Sequence, residues 1–482
     1  MSRRLSIAAA VPLAALLLSG CATGPDYQRP EIAAPADWRE GGPAATRAPE
    51  ERTAAELFRD PVLQALIAAA LTNSPDVQSA AARIEQAAAA LRVQRAGYWP
   101  AVNGAAEYTS AQKGNIPPLR GAQGEEFDLF GVLSYEVDVW GRVRRLNEAA
   151  RAQYLATAEA RRTVEIGLVA NIAATYFNLR ALDRQLAIAT DTLASRQDLL
   201  ELTQIKFDDG NGVVSELDVA QSRTQVAAAE SSIASLKRLI AVTENALSIL
   251  VGDNPRAIER GLELEAQGLP DDIPAGLPSD LLLRRPDLRA AEQNLVAANA
   301  NIGVARAACF PAISLTGALG LQSDDLGDLF DGSVSGAWNF APQITAPIFN
   351  GGKLRANVRA AEAGREIALA DYRKAIQNAF REVDDALAGV RYYREQLAAD
   401  EETVRAESRS LELAQWRYEG GVDSYSDVLN AQRSLFSAQL TAVQTRNSLL
   451  GAAVQLYKAL GGGWEKPAEP AAEPPQPAPA AE

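Results

Sequence analysis

The sequence predicts an α+β membrane protein in which long coiled-coil helices carry a small set of amphipathic strands. Two parts of the chain match each other at a constant offset of 211 residues, so the fold contains two internal repeats. Within each repeat, apolar residues recur every seventh position through a long segment that is almost free of proline, which is typical of a coiled-coil seam. These heptad residues are Ile172, Leu179, Leu186, Leu193, Leu200 and Phe207 in the first repeat, and Val383, Val390, Leu397, Val404, Leu411 and Tyr418 in the second. Shorter segments alternate apolar and polar residues, which indicates strands with one apolar and one polar face.

The composition excludes several functional classes. Among the 482 residues, 61 Asp and Glu outnumber 47 Lys and Arg, a formal net charge of −14, whereas nucleic-acid binding requires a basic surplus. The chain has no histidine, which removes the commonest general base and most catalytic zinc sites, and it has no glycine-rich phosphate loop or nucleophile motif. We therefore expect no enzyme, no nucleic-acid partner, no metal and no cofactor other than a covalent lipid.

The N-terminus has the organisation of a lipoprotein signal peptide, assigned to residues 1–20. Arg3 and Arg4 precede an apolar run over residues 5–18, which is shorter than the roughly 20 residues that span a bilayer. The run ends in Leu-Ser-Gly followed by Cys21, which resembles the bacterial lipoprotein box. We expect cleavage before Cys21 and acylation of this residue; an ordinary signal peptide that contains a cysteine is the alternative.

The repeats divide the rest of the chain. Residues 21–73 form an N-terminal segment, 253–284 a linker between the repeats, and 464–482, rich in Pro, Ala and Glu, a disordered tail. Repeat 1 covers 74–252, with a short helix, a β-hairpin at 101–139, a long helix at 142–207 and a helix at 213–251. Repeat 2 covers 285–463, with a short helix, a β-hairpin at 312–349, a long helix at 354–418 and a helix at 424–460. At ~1.5 Å per residue, each long helix would be about 100 Å long.

Each repeat contributes two strands, at 101–113 and 125–139 in repeat 1 and at 312–323 and 334–349 in repeat 2. Four strands cannot close a barrel, and open strand edges are not tolerated in lipid, so several chains must pool their strands; three would supply twelve. A small periplasmic sandwich is the alternative, which Pro342 and Pro347 in the last strand favour slightly. Acidic residues on the polar faces would make a lumen that favours cations: Glu107, Asp128, Glu136 and Asp138.

Several motifs occur in a fixed order along the mature chain. They are Gly-Pro-Asp-Tyr at 24–27 after Cys21, Gly-Leu-Pro-Ser at 276–279, Arg-Pro-Asp-Leu at 285–288, Phe-Asn-Gly-Gly at 349–352, Ala-Gln-Arg at 431–433 and Ala-Leu-Gly-Gly-Gly-Trp at 459–464. By these motifs the chain resembles the TolC-type outer-membrane factors, specifically the lipoprotein (NodT-like) branch that serves resistance–nodulation–division (RND) efflux systems.

The resemblance implies a homotrimer with a 12-stranded β-barrel in the outer membrane and a long α-helical coiled-coil barrel in the periplasm. It also implies that residues 21–73 are a lipid-anchored segment and equatorial part, and that 253–284 is an equatorial linker. It implies two protein partners, a periplasmic membrane-fusion adaptor and an inner-membrane RND transporter. The implied function is a passive exit duct for small molecules that the adaptor opens. Two alternatives stay open: a duct for type I protein secretion, and a periplasmic coiled-coil scaffold lipoprotein without a pore.

The resemblance also implies roles for residues at the two helix turns. Adaptor-docking candidates at the turns are Gly210, Gly212, Val213, Gly421 and Val422. Related channels close just inside the second turn with a ring of acidic residues, and here Asn430 stands where close relatives often have Asp. The gate candidates are Asp423, Asp427, Asn430 and Arg433, with Arg433 expected to pair with one of the two aspartates. Helix capping and solvated surface charges are the alternatives.

Overall fold

A computed structural model describes residues 22–32, 34–40, 58–111, 124–209, 214–267, 278–331 and 336–462. The predicted signal peptide, Cys21 and the predicted tail at 464–482 lie outside these residues. Among the described helices, none is both long and apolar enough to cross a membrane.

The elements follow one another in the order predicted for two repeats. They are α1 (Pro61–Asn73), α2 (Pro75–Ala96), β1 (Ala101–Ala111), β2 (Gly124–Val137), α3 (Arg142–Asp208), α4 (Glu216–Val251), α5 (Pro278–Arg284), α6 (Pro286–Ala307), β3 (Ala312–Ser323), β4 (Gly336–Thr345), α7 (Lys353–Glu419) and α8 (Tyr425–Ala459). The helices α2 and α6, the strands β1 and β3, and the helices α3 and α7 begin 211 residues apart. Helices α4 and α8 begin 209 residues apart, because the turn at 209–215 is longer than the turn at 420–424.

The four strands form one antiparallel sheet in the order β1-β2-β3-β4. The central pair, β2 and β3, joins the two repeats, and β1 and β4 each have one neighbour within the chain. Pro342 lies within β4 opposite Leu315. A proline is compatible with this position because β4 is an edge strand, where a missing N–H need not break the ladder.

Two predicted strands are too long. The last strand ends at Thr345 rather than at residue 349, and residues 346–350 have no regular structure. Pro347 lies in this stretch and has no N–H to continue the ladder. Strand β2 ends at Val137 rather than at residue 139, because Asp138 turns the chain into α3.

The chain folds as two compact units. Unit 1 takes residues up to 32, 82–158 and 290–374, and contains the whole sheet. Unit 2 takes 33–81, 159–289 and 375 onwards, and consists of helices and their connections. In unit 2 several predicted heptad residues are fully buried, among them Ile172, Leu179 and Val383, as expected for seam positions.

Within the apolar core of unit 2, a buried polar cluster is organised by Asp60, whose side chain is fully buried. Its carboxylate caps the N-terminus of α1 and also accepts hydrogen bonds from the hydroxyl of Tyr176 at 2.8 Å, Leu262 N at 2.8 Å and Gln267 Nε2 at 2.6 Å. Burial raises the pKa of Asp60, but these hydrogen bonds to the charged form more than compensate, so its pKa lies below the ordinary value. Asp60 therefore holds α1, α3 and the connection after α4 together.

Candidate functional site

The sheet has one polar and one apolar face across all four strands. Residues directly opposite each other on neighbouring strands share a face, so the register assigns each side chain. The polar face carries Asn103, Glu107, Asp128, Ser134, Glu136, Ser314, Thr316, Gln322, Asn339 and Gln343. The apolar face carries Val102, Tyr108, Phe127, Leu129, Leu133, Ile313, Leu315, Leu319, Trp338, Phe340 and Ile344.

The apolar face is uncovered in a single chain. Leu319 is 72% exposed and Trp338 77%, although neither side chain gains by contact with water. An exposed apolar surface spread over four strands indicates a non-aqueous environment or a protein partner.

Two of the predicted lumen acids are neighbours on the polar face. Glu107 lies directly opposite Asp128, and Asp128 lies opposite Gln322 on the other side. Gln322 donates a hydrogen bond to the carboxylate of Glu126, the next acid on this face. Because like charges directly opposite each other repel, this part of the sheet concentrates negative potential and favours cations nearby.

The other two predicted lumen acids are bound by arginines. Glu136 forms a bidentate ion pair with Arg142, and Asp138 lies beyond the end of β2, not on the strand as predicted. The Asp138 carboxylate accepts from the backbone N–H groups of Val143 and Arg144, both at 2.9 Å. Both residues thus fix the junction between strand and helix, which is a structural role.

The second helix turn closes with glycine. Gly421 has φ +73°, a left-handed conformation that favours glycine, and Val422 N donates to Arg417 O at 2.8 Å. The Val422 side chain is 68% exposed, as a docking residue requires. Gly210, Gly212 and Val213 of the first turn lie outside the described residues.

Within one chain, the two aspartates among the gate candidates have separate local partners. Asp423 forms a bidentate ion pair with Arg417, at 2.5 and 2.7 Å, which lowers the pKa of its carboxyl group. Asp427 accepts from the backbone N–H and hydroxyl of Ser424 in the capping box that starts α8. Helix capping therefore accounts for Asp427 within one chain. Asn430 is exposed on the first turns of α8.

Arg433 pairs with an amide and not with either aspartate. With the Gln225 amide oriented so that its oxygen faces Arg433, the guanidinium donates from Nη2 at 2.6 Å and from Nε at 3.3 Å. Gln225 lies on α4, so this contact links α4 to α8. The expectation that Arg433 binds Asp423 or Asp427 is wrong for the single chain, because both carboxylates are already engaged locally.

A second link between the same helices was not predicted from the sequence. The hydroxyl groups of Ser222 on α4 and Tyr425 on α8 form a short buried hydrogen bond. Near it, the buried Arg196 of α3 donates to Gln225 O at 2.9 Å, and its pKa is lowered by burial and by the charge of Arg433. The sequence contains a sign of the buried arginine. Arg196 follows the heptad residue Leu193 by three positions, and a coiled-coil seam normally carries an apolar side chain there.

The residues that follow Cys21 are fixed within unit 1. Thr23 N donates to Trp140 O at 3.0 Å, Asn299 Nδ2 donates to Pro25 O at 2.8 Å, and Arg145 binds Asp26 at 2.8 Å. These contacts bind the segment to the start of α3 and to α6. The residue that would carry a lipid is therefore adjacent to a docked segment beside the base of the sheet.

Comparison with known proteins agrees with this organisation. The sequence profile described as "Outer membrane efflux protein" matches residues 66–253 and 277–462, one match in each repeat. Over 463 residues, the chain is 44% identical to the "Solvent efflux pump outer membrane protein SrpC" of Pseudomonas putida, covering 94% of this chain and 97% of that protein. It is 38% identical over 458 residues to the "Cation efflux system protein CusC" of Escherichia coli O6:H1, covering 94% and 98%.

A solved structure gives the same result for the fold. The open state of the Neisseria gonorrhoeae MtrE outer membrane channel superposes with a TM-score of 0.83 at 32% identity, covering 92% of this chain and 99% of that one.

Proposed function

This chain belongs to the outer membrane efflux protein family, and from that premise we propose that it forms the passive exit duct of a tripartite efflux pump. The two-faced sheet is the observation that carries the proposal. Its apolar face suits the hydrocarbon core of the outer membrane, and its polar face suits a water-filled lumen. The family is one of transport proteins rather than enzymes.

A duct requires more than one chain. Strands β1 and β4 each lack a neighbour within the sheet, and lipid cannot satisfy their backbone N–H and C=O groups. Three chains that pair β4 of one copy with β1 of the next would close a 12-stranded barrel with no free edge. This closure supports a homotrimer, in which the apolar faces of all strands point outward to lipid.

We also make two inferences about how the protein is anchored in the membrane and how the duct is opened. We infer that Cys21 carries the lipid, because the segment after it is docked at the base of the sheet. We also infer that a periplasmic adaptor binds the helix turns around Val422 and opens the duct, which an inner-membrane RND transporter supplies. SrpC is named for solvents and CusC for cations. For this chain we propose small molecules as the exported class.

Single-channel conductance of the acylated protein in planar bilayers tests the proposal. We expect cation-selective currents, because the polar strand faces are acidic; small currents would support a duct that is gated at rest. Substitution Asn430→Asp should lower the conductance further if residue 430 lies at the constriction, because a ring of three carboxylates would hold the gate more tightly through neighbouring basic groups. Thr441→Asp, an added charge at an exposed site further along α8, is the matched control and should leave the conductance unchanged.

The possible failures are informative. Absence of insertion and conductance from an acylated, trimeric sample would overturn the duct and favour the scaffold lipoprotein. A conducting wild type in which Asn430→Asp and Thr441→Asp behave alike would retain the duct and place the gate elsewhere.

A further inference from the structure

The two strand-to-helix junctions of unit 1 differ in their charge. In repeat 1, where β2 leads into α3, each cation has a carboxylate partner: Arg142 binds Glu136, and Arg144 binds Asp138 at 3.3 Å. The acids lie before the helix and the arginines lie in its first turn. This junction is neutral by itself.

Repeat 2 keeps the cations and lacks the acids. The 211-residue offset aligns Lys353 and Arg355 of α7 with the two arginines of repeat 1. It aligns Pro347 and Phe349 with the two carboxylates, so neither can accept an ion pair. In the part of the chain that the structure describes, Lys353 and Arg355 form no ion pair, and both side chains are exposed.

A third cation extends the group. Arg359 lies four residues after Arg355, on the same side of α7, and it is also exposed. Its counterpart in repeat 1 is Glu148, which binds Arg145 at 2.7 Å, so the charge at this position is reversed between the repeats. The base of β4 is therefore basic where the base of β2 is neutral.

Two uncovered apolar side chains come just before these cations in the sequence. Ile348 is 97% exposed and Phe349 is 90% exposed, in the irregular stretch between β4 and α7. A carboxylate from a second copy of the chain would neutralise the cations but would not by itself cover both apolar side chains. A phospholipid provides a phosphate and acyl chains together, and juxtamembrane basic residues attract anionic headgroups.

We propose that Lys353, Arg355 and Arg359 bind the phosphate of an anionic phospholipid in the periplasmic leaflet of the outer membrane, while Ile348 and Phe349 contact its acyl chains. Arginine is suited to this role because its planar guanidinium can donate two parallel hydrogen bonds to a phosphate. The inference rests on the proposed function, because it requires β4 to cross the outer membrane.

The test is lipid binding by the acylated full-length protein, measured by native mass spectrometry with phosphatidylglycerol and with phosphatidylcholine as probes. We expect the wild type to prefer phosphatidylglycerol by about tenfold at low salt. The double variant Arg355→Gln/Arg359→Gln should reduce the preference to less than about threefold. The matched control is Arg373→Gln/Lys374→Gln, two exposed cations about 25 Å further along α7, which should keep the wild-type preference.

Three results would overturn the proposal. The first is an unchanged phosphatidylglycerol preference in Arg355→Gln/Arg359→Gln. The second is dissociation of this variant into monomers in lipid-free detergent, because the cations would then bind a neighbouring copy. The third is complete displacement of the lipid by excess inorganic phosphate, which would indicate a site for the free anion. Conductance in phosphatidylcholine bilayers distinguishes failure of the proposed duct from failure of the proposed lipid site. A wild type that does not conduct refutes the duct. A wild type that conducts but shows no lipid preference refutes only the lipid site.

Discussion

Replacing Asp60 by asparagine would test the buried polar cluster of unit 2 with little change in the volume of the side chain. Oδ1 of Asp60 accepts from backbone N–H groups in the first turn of α1, whereas Oδ2 accepts from Tyr176, Leu262 and Gln267. An asparagine has one side-chain oxygen, so it can keep only one of these two sets. Its NH₂ group then faces the donors of the other set.

The expected cost follows from the less damaging orientation, in which the oxygen replaces Oδ2. The cap of α1 is lost, at about 1 kcal/mol. The three remaining hydrogen bonds lose a charged acceptor, at roughly 1 kcal/mol each. Removing a buried charge recovers part of its desolvation cost. We therefore expect a net destabilisation of about 2–3 kcal/mol, which corresponds to a fall of roughly 3–5 °C in Tm for a cooperative unit of the size of unit 2.

The assay is thermal unfolding of the purified protein in detergent, with Asp253→Asn as the matched control. Asp253 pairs with Arg256 at 3.1 Å on the exposed surface of the same unit, so its loss should cost less than about 0.5 kcal/mol. A Tm for Asp60→Asn within about 1 °C of the wild type would refute the reasoning. An equal fall in both variants would refute it as well.

The same substitution has a defined pH dependence. Because the pKa of Asp60 is lowered in the folded protein, its ionisation stabilises the fold above the unfolded pKa of about 3.9, and this contribution is lost as the pH falls through the folded value. The difference in Tm between wild type and Asp60→Asn should be constant from pH 5 to pH 8 and should shrink below about pH 4. A difference that grows in acid would contradict the assignment.

Three further predictions concern single contacts. Gly303→Ala places a Cβ 2.7 Å from Arg145 Cγ, so the N-terminal segment should become more sensitive to protease, and an unchanged digestion pattern would argue against docking. Tyr425→Phe removes the hydrogen bond to Ser222, which should cost about 1 kcal/mol and raise the single-channel conductance; a lower conductance would exclude a closing role for this link. Glu107→Gln should lower cation selectivity in a salt gradient, and unchanged reversal potentials would place this carboxylate outside the ion path.

Several features of this protein were predictable because their signals are local. The long helices and the two-faced strands depend on periodicities of 7 and 2 that a single segment displays by itself, and the repeats are seen when the sequence is compared with itself. The positions of Val422 at a glycine turn and of Glu107 and Asp128 on a polar strand face were also predictable from local signals. Their placement in the structure is compatible with the roles predicted for them, and those roles remain predictions. Acylation of Cys21, the trimer and the gate role of Asn430 remain predictions.

The partners of the charged side chains were decided by the tertiary structure. Asp138 accepts hydrogen bonds at the N-terminus of α3 and does not lie on a lumen face of the strand. Arg433 binds Gln225 and not an aspartate. Asp60 is bound by Gln267, which lies 207 residues away in the sequence. A periodic pattern shows which residues share a face of one helix or strand. It does not show which groups from distant segments meet, and in a buried polar site that meeting determines the pKa, the pairing and the role of each residue.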